Sequence, residues 1–208
     1  MDWYSIVKFL HVAFAVVWVG GGFTIMLLAV RADRAAAVPA RPSGGLTPTS
    51  MTIDSATFRS VLGRFASGIT IVTALDDRGE DHGMTVSAFC SASLDPPLVL
   101  ACIDRAATMH PVLERATHFA VNILSSEQEA LSRRFATPEV DPFDGIGYTR
   151  GTAGLALIDD ALAHLECRVH ARVPGGDHMI LLGLVESGVA WDARPLLYYR
   201  SGYAQLER

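Results

Sequence analysis

The chain has 208 residues, of which 50% are hydrophobic and 19% are charged, and its mean hydropathy is +0.29. This size suits one ordinary domain with a modest appendage, and this composition excludes a disordered chain. The formal net charge of -5 and the scattered basic residues give no attraction for a phosphate backbone, so the sequence argues against nucleic-acid binding.

The N-terminal residues 1–34 have the features of a membrane segment. Ile6 to Val30 form an apolar run with only three polar interruptions, which is long enough to cross a bilayer core. Arginines follow the run, and by the positive-inside rule they place the rest of the chain in the cytoplasm. We therefore predict one transmembrane helix, through which residues 6–30 could anchor the protein to the cell membrane.

Two other interpretations of the N-terminus stay open. Ala35 to Ala40 offer small residues for signal-peptide cleavage, although the apolar run exceeds the usual length of roughly 7–15 residues. Residues 35–50 are rich in Ala, Pro, Gly, Ser and Thr and indicate a flexible linker. Met51 could also start a complete protein, in which case the protein is plainly cytoplasmic and lacks residues 1–50.

Residues 51–208 are predicted to form one globular domain that is mainly β with peripheral helices. In chain order we first predict a helix that is capped by Asp54 or Ser55 and stops at Gly68. Strands follow at Ile69–Leu75, Met84–Ser91 and Leu98–Ile103, then a helix at Met109–Ala116, a strand at His118–Leu124 and a helix at Ser126–Ala136. The last elements are strands at Ala163–Val173 and Met179–Val189, joined by the turn Pro174–Asp177, and a strand at Leu196–Arg200. Strands joined mainly by tight turns favour an antiparallel barrel. No GxGxxG motif lies where a strand enters a helix, so a doubly wound dinucleotide fold is disfavoured.

Hydroxyl side chains recur at alternate positions in MTVSAFCSASLDPP. On a single strand, Thr85, Ser87, Ser91 and Ser93 would share one face and present a row of neutral donors. Such donors suit a phosphate or the edge of a flavin ring, but a half-buried strand that faces solvent shows the same alternation. Both interpretations stay open on this stretch alone.

A histidine follows the predicted hairpin turn in the sequence GGDH. Taken alone, His178 is either a surface turn residue or a functional group at the mouth of a strand. The chain has no nucleophile elbow and no pair of carboxylates in an apolar setting. Hydroxyl donors and a histidine without acid-base machinery are expected when a cofactor carries the reaction and the protein positions it.

The cysteines Cys90, Cys102 and Cys167 are widely spaced and lie in apolar runs, which indicates reduced, buried thiols. In HLECRVH, strand alternation places His164 and His170 on one face and Cys167 on the other. Zinc needs about four converging ligands, so we predict no metal site in this stretch.

Five ordered blocks carry a resemblance to a known family: FRSVLGRFASGITIVTA, GMTVSAFCSASLDPPLVLACI, FAVNILSSEQEALSRRFA, GGDHMILLGLVES and RPLLYYRSGY. In order and spacing they resemble the flavin reductase-like, FMN-binding split-barrel family, especially the reductase components of two-component flavin-dependent monooxygenases. The resemblance covers nearly everything from Thr52 to Tyr203. It implies a six-stranded antiparallel split barrel, usually a homodimer with flavin at the subunit interface.

The resemblance also implies which residues hold the ligands. Its flavin-binding pattern falls on Asp81, His82, Gly83, Met84, Thr85, Ser87, Ala88, Cys102, Ile103, Asp104, Thr108, Met109, Arg134 and Phe135. In the family the GDH turn borders the nicotinamide pocket, so His178 is expected to position NADH or NADPH. The segment that completes this pocket matches Tyr199, Arg200, Ser201 and Gly202. Ala88 stands where many relatives have serine, which leaves flavin affinity and the choice between FMN and FAD open.

The activity implied by the resemblance is NAD(P)H-dependent reduction of FMN or FAD, with a hydride passing from nicotinamide C4 to flavin N5 across stacked rings. The reduced flavin would then leave for a partner monooxygenase. The alternative is a membrane-tethered, flavin-binding sensor or interaction protein without NAD(P)H turnover. A barrel like that of pyridoxamine-phosphate oxidases would need basic phosphate clamps, which are not clustered in this sequence.

Overall fold

A computed structural model of the chain describes residues 53–137 and 140–206. The helices are α1 (Ser55–Leu62), α2 (His110–Arg115) and α3 (Glu129–Phe135), the last preceded by a 3-10 turn at Ser126–Gln128. The strands are β1 (Ser67–Gly68), β2 (Thr70–Leu75), β3 (Asp81–Val86), β4 (Phe89–Leu94), β5 (Pro97–Asp104), β6 (His118–Ile123), β7 (Tyr148–Arg150), β8 (Ala156–Ile158), β9 (Ala163–Gly175), β10 (His178–Ala190), β11 (Leu197–Tyr199) and β12 (Gly202–Ala204). The predicted membrane segment and linker lie outside the described residues. Among the helices that are described, none has both the length and the apolar composition needed to cross a bilayer.

The main sheet is antiparallel and has the strand order β3-β2-β6-β9-β10-β5-β4. Its edge strands β3 and β4 are consecutive in the chain and are separated by Ser87 and Ala88. The sheet must therefore curve until its two edges nearly meet. The N–H of Cys102 in β5 donates to the carbonyl of Ala88 at 2.9 Å, which extends the β4–β5 pairing into this connection. The prediction of a mainly β fold with few helices is confirmed.

The prediction of a single strand at Met84–Ser91 is wrong. The chain pairs with β2 before Ser87 and Ala88 and with β5 after them, so it changes partner within the predicted strand. A further register shift lies between Ser91 and Ser93. The hydroxyl side chains of this stretch therefore do not form one continuous row on one face.

Helix α1 forms as predicted, but none of its side chains is buried. Asp54 caps the helix by accepting two backbone N–H groups of the first turn, each at 2.9 Å. The helix ends at Leu62 with Gly63 as its C-cap, earlier than the predicted stop at Gly68. An apolar helix face normally packs on a core, so this exposed face requires a ligand or another surface. The exposed fractions are 53% for Phe58, 58% for Val61, 50% for Leu62 and 78% for Phe65 just beyond the helix.

The histidines and the cysteine of β9 differ in their surroundings, and His170 is skipped at a register shift in the pairing with β10, so its predicted position on the face of His164 stays a prediction. Cys167 is buried in the core, and burial raises the pKa of its thiol to about 12. His164 is buried, its Nε2 donates to the carbonyl of Ile158 at 2.8 Å, and His170 is exposed. The predicted burial of all the thiols is wrong for Cys90, which is exposed, and holds only in part for Cys102.

Glu166 on β9 is a buried carboxylate that fixes the loop before β8. It is 7% exposed and accepts hydrogen bonds from the N–H and hydroxyl of Thr152, the N–H of Ala153 and the hydroxyl of Ser187, at 2.9–3.1 Å. Burial alone would raise the pKa of Glu166, but these donors outweigh it and hold the pKa below its ordinary value.

We expect Glu166→Gln to destabilise the protein by about 2 kcal/mol at pH 7, because an amide nitrogen would meet donors. Since the folded-state pKa is lowered, the carboxylate stabilises fully above its ordinary pKa of 4.5 and less as the pH falls through the folded value. The difference in the free energy of unfolding between variant and wild type should therefore shrink in acid. Urea unfolding at pH 7 and at decreasing pH measures this difference. Glu186→Gln is the control and should change little, because Glu186 is exposed and its partners are the exposed Arg168 and the half-buried His118.

Candidate functional site

A mainly apolar cavity of about 540 Å³ lies between α1, the gap at Ser87 and Ala88, and the β11–β12 hairpin. This volume lies within the usual range of small-molecule sites. Arg59 and Arg200 line the cavity, whereas none of the described acidic residues does. Such a lining suits a planar aromatic ligand with an anionic group. The lining residues are Phe58, Arg59, Leu62, Gly63, Phe65, Ser67, Ser87, Ala88, Phe89, Cys90, Leu100, Cys102, Tyr198, Arg200 and Ser201.

A second cavity, of about 580 Å³, lies where the 3-10 turn meets the segment before β11. It is slightly larger, and its lining residues include Glu127 and Asp160 beside a single arginine, Arg194, which already lies 3.8 Å from Glu127. The two carboxylates disfavour a phosphate, and the cavity offers no aromatic wall. We therefore place the candidate site in the first cavity.

The first cavity brings together several of the residues that the resemblance implies. Those that line it are Ser87, Ala88, Cys102, Arg200 and Ser201. Cys102 pairs with Ile180 across β5 and β10, and Asp104 pairs with His178. Positions 102 and 104 share a strand face, so His178 lies roughly 7 Å beyond Cys102 along the paired strands. A ligand in the cavity and a second ligand at His178 would therefore be neighbours.

His178 begins β10 directly after the hairpin turn. Its side chain is 40% exposed, and Nδ1 donates to Oδ1 of Asp177 at 2.8 Å. This hydrogen bond lowers the pKa of Asp177, and it leaves Nε2 as the ring nitrogen available to a ligand. From the sequence, Asp177 was predicted only as a turn residue. An acidic residue directly before a turn histidine is the signal that could have identified it.

Two of the predicted ligand residues of β3 contact α3, and a third binds an arginine of β7. Thr85 Oγ1 donates to the carbonyl of Ser132 at 2.6 Å, and a Cβ on Gly83 would lie 2.6 Å from the ring of Phe135. Both carboxylate oxygens of Asp81 accept from Arg150 at 2.6 Å. These side-chain contacts are made within the protein, so β3 would meet a flavin mainly through its backbone.

Other predicted residues lie deeper or further out. Ile103, Met109 and Phe135 are almost completely buried, so only their backbone atoms could reach a ligand, and the half-buried Met84 packs against the core. Arg134 donates to the carbonyl of Asp141 at 2.9 Å and lies 3.9 Å from Asp144. The remaining members lie outside the cavity lining: Thr108 and Tyr199 are exposed, and Gly202 borders a smaller cavity beside Tyr203.

His82 contacts Asp76 at 3.4 Å in the β2–β3 turn, with Glu80 close by. Oδ1 of Asp76 already accepts the N–H groups of Arg78 and Glu80, which shape the turn. These hydrogen bonds account for the cluster without an ion, and we assign no metal to it.

Helix α1 and Tyr198 were not predicted from the sequence to line the cavity. The apolar face of α1 was visible in the sequence, but its spacing predicts a helix without saying what that face contacts. Tyr198 packs edge-on against Tyr203, with ring centroids 5.6 Å apart, and the hydroxyl of Tyr203 lies 2.8 Å from Ser132 Oγ. These contacts hold the β11–β12 hairpin over the cavity.

Comparison with known proteins gives a consistent result. The sequence profile of the flavin reductase like domain matches residues 62–207. A flavin reductase of Pseudomonas putida is 41% identical over 73% of this chain and 89% of its own length. The reductase subunit HsaB of a flavin-dependent monooxygenase from Rhodococcus jostii is 38% identical over 74% of this chain and 80% of its own length.

A solved structure has the same fold. The NADH:FAD oxidoreductase of Streptomyces globisporus, in complex with NAD and FAD fragments, superposes with a TM-score of 0.71. It is 37% identical and covers 79% of this chain and 98% of its own. Taken with the profile match over residues 62–207, these likenesses show that the chain belongs to the flavin reductase like domain family.

Proposed function

We propose that this protein is an NAD(P)H-dependent flavin reductase, which passes a hydride from nicotinamide to FMN or FAD and supplies reduced flavin to a partner monooxygenase. The observation that carries the proposal is the apolar, arginine-lined cavity beside His178, in a chain of this family. The relative HsaB is named as the reductase subunit of such a monooxygenase, which supports the partner.

The residues of the cavity fit a flavin. Phe89, Leu100 and Tyr198 provide apolar surface for a planar ring, and the hydroxyls of Ser87 and Ser201 can donate to its polar edge. A flavin supplies the two-electron acceptor, so the protein need not exchange a proton in the hydride step. The work of the side chains is to bind and align the two rings and to exclude water. His178 lies roughly 7 Å further along the paired strands, which supports its proposed role in holding the nicotinamide.

The assembly that we infer is a homodimer of six-stranded split barrels. Counting β3 and β4 as one bent strand gives six strands in a closed order, because this strand would pair with β2 at one end and β5 at the other. The exposed apolar face of α1 borders the open side of the cavity and suits a second copy as cover. Light scattering should then give twice the chain mass of 22.3 kDa; a monomer at assay concentration would contradict the dimer.

The direct test is NADH and NADPH oxidation by the purified full-length chain. The reductase proposal predicts oxidation that depends on added FMN or FAD. A protein that retains flavin through desalting but oxidises neither nucleotide would instead be the sensor or interaction protein. The membrane helix of residues 6–30 stays a prediction, and mass spectrometry of the native N-terminus tests it, since a chain that starts at Met51 or Thr52 lacks the helix.

We expect His178→Ala to lower kcat/KM for NADH by roughly 10- to 100-fold, because the variant loses a positioning group for the nicotinamide but keeps the cavity. The dissociation constant for FMN should change less than twofold, roughly, since the imidazole lies outside the cavity lining. His170→Ala, at an exposed position on the same β9–β10 hairpin, is the matched control. A variant that loses FMN binding and keeps its KM for NADH would mean that the two pockets are exchanged.

A further inference from the structure

We infer that Arg59 and Arg200 form a cation pair that binds a nucleotide phosphate at the mouth of the cavity. The proposed function supplies the class of ligand, and the pair adds a phosphate subsite to it. Arg59 lies in the last turn of α1, and Arg200 lies in the β11–β12 turn, 141 positions later in the numbering of the chain. Both line the same cavity, which has no described carboxylate in its lining.

Gly63 joins the two arginines through the backbone. Its N–H donates to the carbonyl of Arg59 at 2.9 Å, and its carbonyl accepts the N–H of Arg200, also at 2.9 Å. The end of α1 and the hairpin turn are therefore held together close to the backbone positions from which the Arg59 and Arg200 side chains project. Both side chains line the same cavity, where two like charges repel unless an anion or solvent screens them.

The turn that carries Arg200 is strained. Arg200 and Ser201 are the central residues of a two-residue hairpin loop and have φ of 51° and 62°. Such turns favour Asn-Gly, since side chains with a Cβ adopt positive φ at a cost. Strain of this kind is concentrated at functional sites, where it fixes a side chain in place. A binding role for the Arg200 side chain at the cavity would explain why an arginine occupies this strained position.

Three arginines on α3 and β7 already have partners. Arg133 binds Glu129 at 2.7 Å, Arg150 binds Asp81 at 2.6 Å, and Arg134 donates to the carbonyl of Asp141. Within residues 53–137 and 140–206, neither Arg59 nor Arg200 takes part in an ion pair with a carboxylate. Guanidinium groups bind phosphate oxygens in a bidentate geometry, so this pair is better placed for a phosphate than Arg134.

The phosphate can come from the flavin or from the nicotinamide dinucleotide, and binding measurements distinguish the two. Fluorescence titration without turnover compares riboflavin, which lacks a phosphate, with FMN. A parallel titration compares NADH with reduced nicotinamide riboside. The variants are Arg59→Gln and Arg200→Gln, with Arg59→Lys to keep the charge and Arg64→Gln as a control, since Arg64 is exposed just beyond α1 and does not line the cavity.

We expect each Gln variant to weaken FMN binding by roughly tenfold while riboflavin binding stays the same, because only the phosphate contact is lost. Arg59→Lys should recover part of the loss, and Arg64→Gln should match the wild type. A loss confined to NADH would equally support the phosphate site and assign it to the dinucleotide. Equal losses for the phosphorylated and unphosphorylated ligands, or no loss, would overturn the inference. Because these titrations need no turnover, they remain decisive even if wild-type protein oxidises no NADH.

Discussion

Ala88→Trp should abolish flavin-dependent NADH oxidation without unfolding the protein. Ala88 lies in the gap between β3 and β4, is exposed and lines the cavity where we place the flavin ring. An indole at this position would fill the space that the ring needs. The backbone hydrogen bond from Cys102 to Ala88 does not involve the side chain and should remain. We expect kcat/KM to fall by roughly 100-fold or more, which corresponds to about 2.7 kcal/mol of lost transition-state stabilisation.

Steady-state assays with FMN and FAD, run beside thermal unfolding, measure this effect. Ala130→Trp is the matched control, because Ala130 is exposed on α3 and lies outside the cavity lining. The control should retain both activity and Tm. If Ala88→Trp binds and reduces FMN as the wild type does, the flavin lies elsewhere, and the cavity assignment is wrong.

Local signals in the sequence predicted local structure well. Asp54 before an apolar-periodic segment predicted the start of α1, and GGD between two apolar runs predicted the β9–β10 hairpin, whose turn uses Gly176 at φ 71°. In both cases the determining contacts lie within a few residues. The three-residue strands β7, β8 and β12 were missed, because so short a stretch carries no usable periodicity.

Non-local contacts account for the remaining differences. The change of strand partner at Ser87 and Ala88 leaves the alternating pattern of the sequence intact, so one strand was predicted where two exist. The hydroxyl of Thr85 is bonded to Ser132, 47 residues away, and no spacing rule reveals that pairing. The cavity likewise joins residues from α1, β4, β5 and the C-terminal hairpin. The resemblance to the family predicted some of the residues that line the cavity, but the contribution of Arg59 became visible only in the folded structure.

Gly183→Ala should be among the most destabilising small changes in the chain. Gly183 is buried in β10, and a Cβ there would overlap the Phe119 ring and lie 2.9 Å from the Cβ of Cys167. Phe119 and Cys167 are both fully buried in the core, so neither can move away without displacing its neighbours. We expect a loss of about 3 kcal/mol from overpacking, or a fall in Tm of roughly 6–12 °C.

Gly68→Ala separates this steric effect from the general effect of replacing glycine. A Cβ at Gly68 has no other atom within 4 Å, and its φ is not positive, so the variant should match or slightly exceed the wild type in stability. In the Gly183→Ala background, Phe119→Leu should lower the free energy of unfolding by less than it does in the wild type, because the smaller side chain makes room for the new methyl group. If the effects of the two substitutions on the free energy of unfolding are additive, the close packing of Phe119 on the β10 backbone is not the cause of the destabilisation. Since β10 carries His178 at its first residue, the same packing holds the strand that presents the predicted nicotinamide contact.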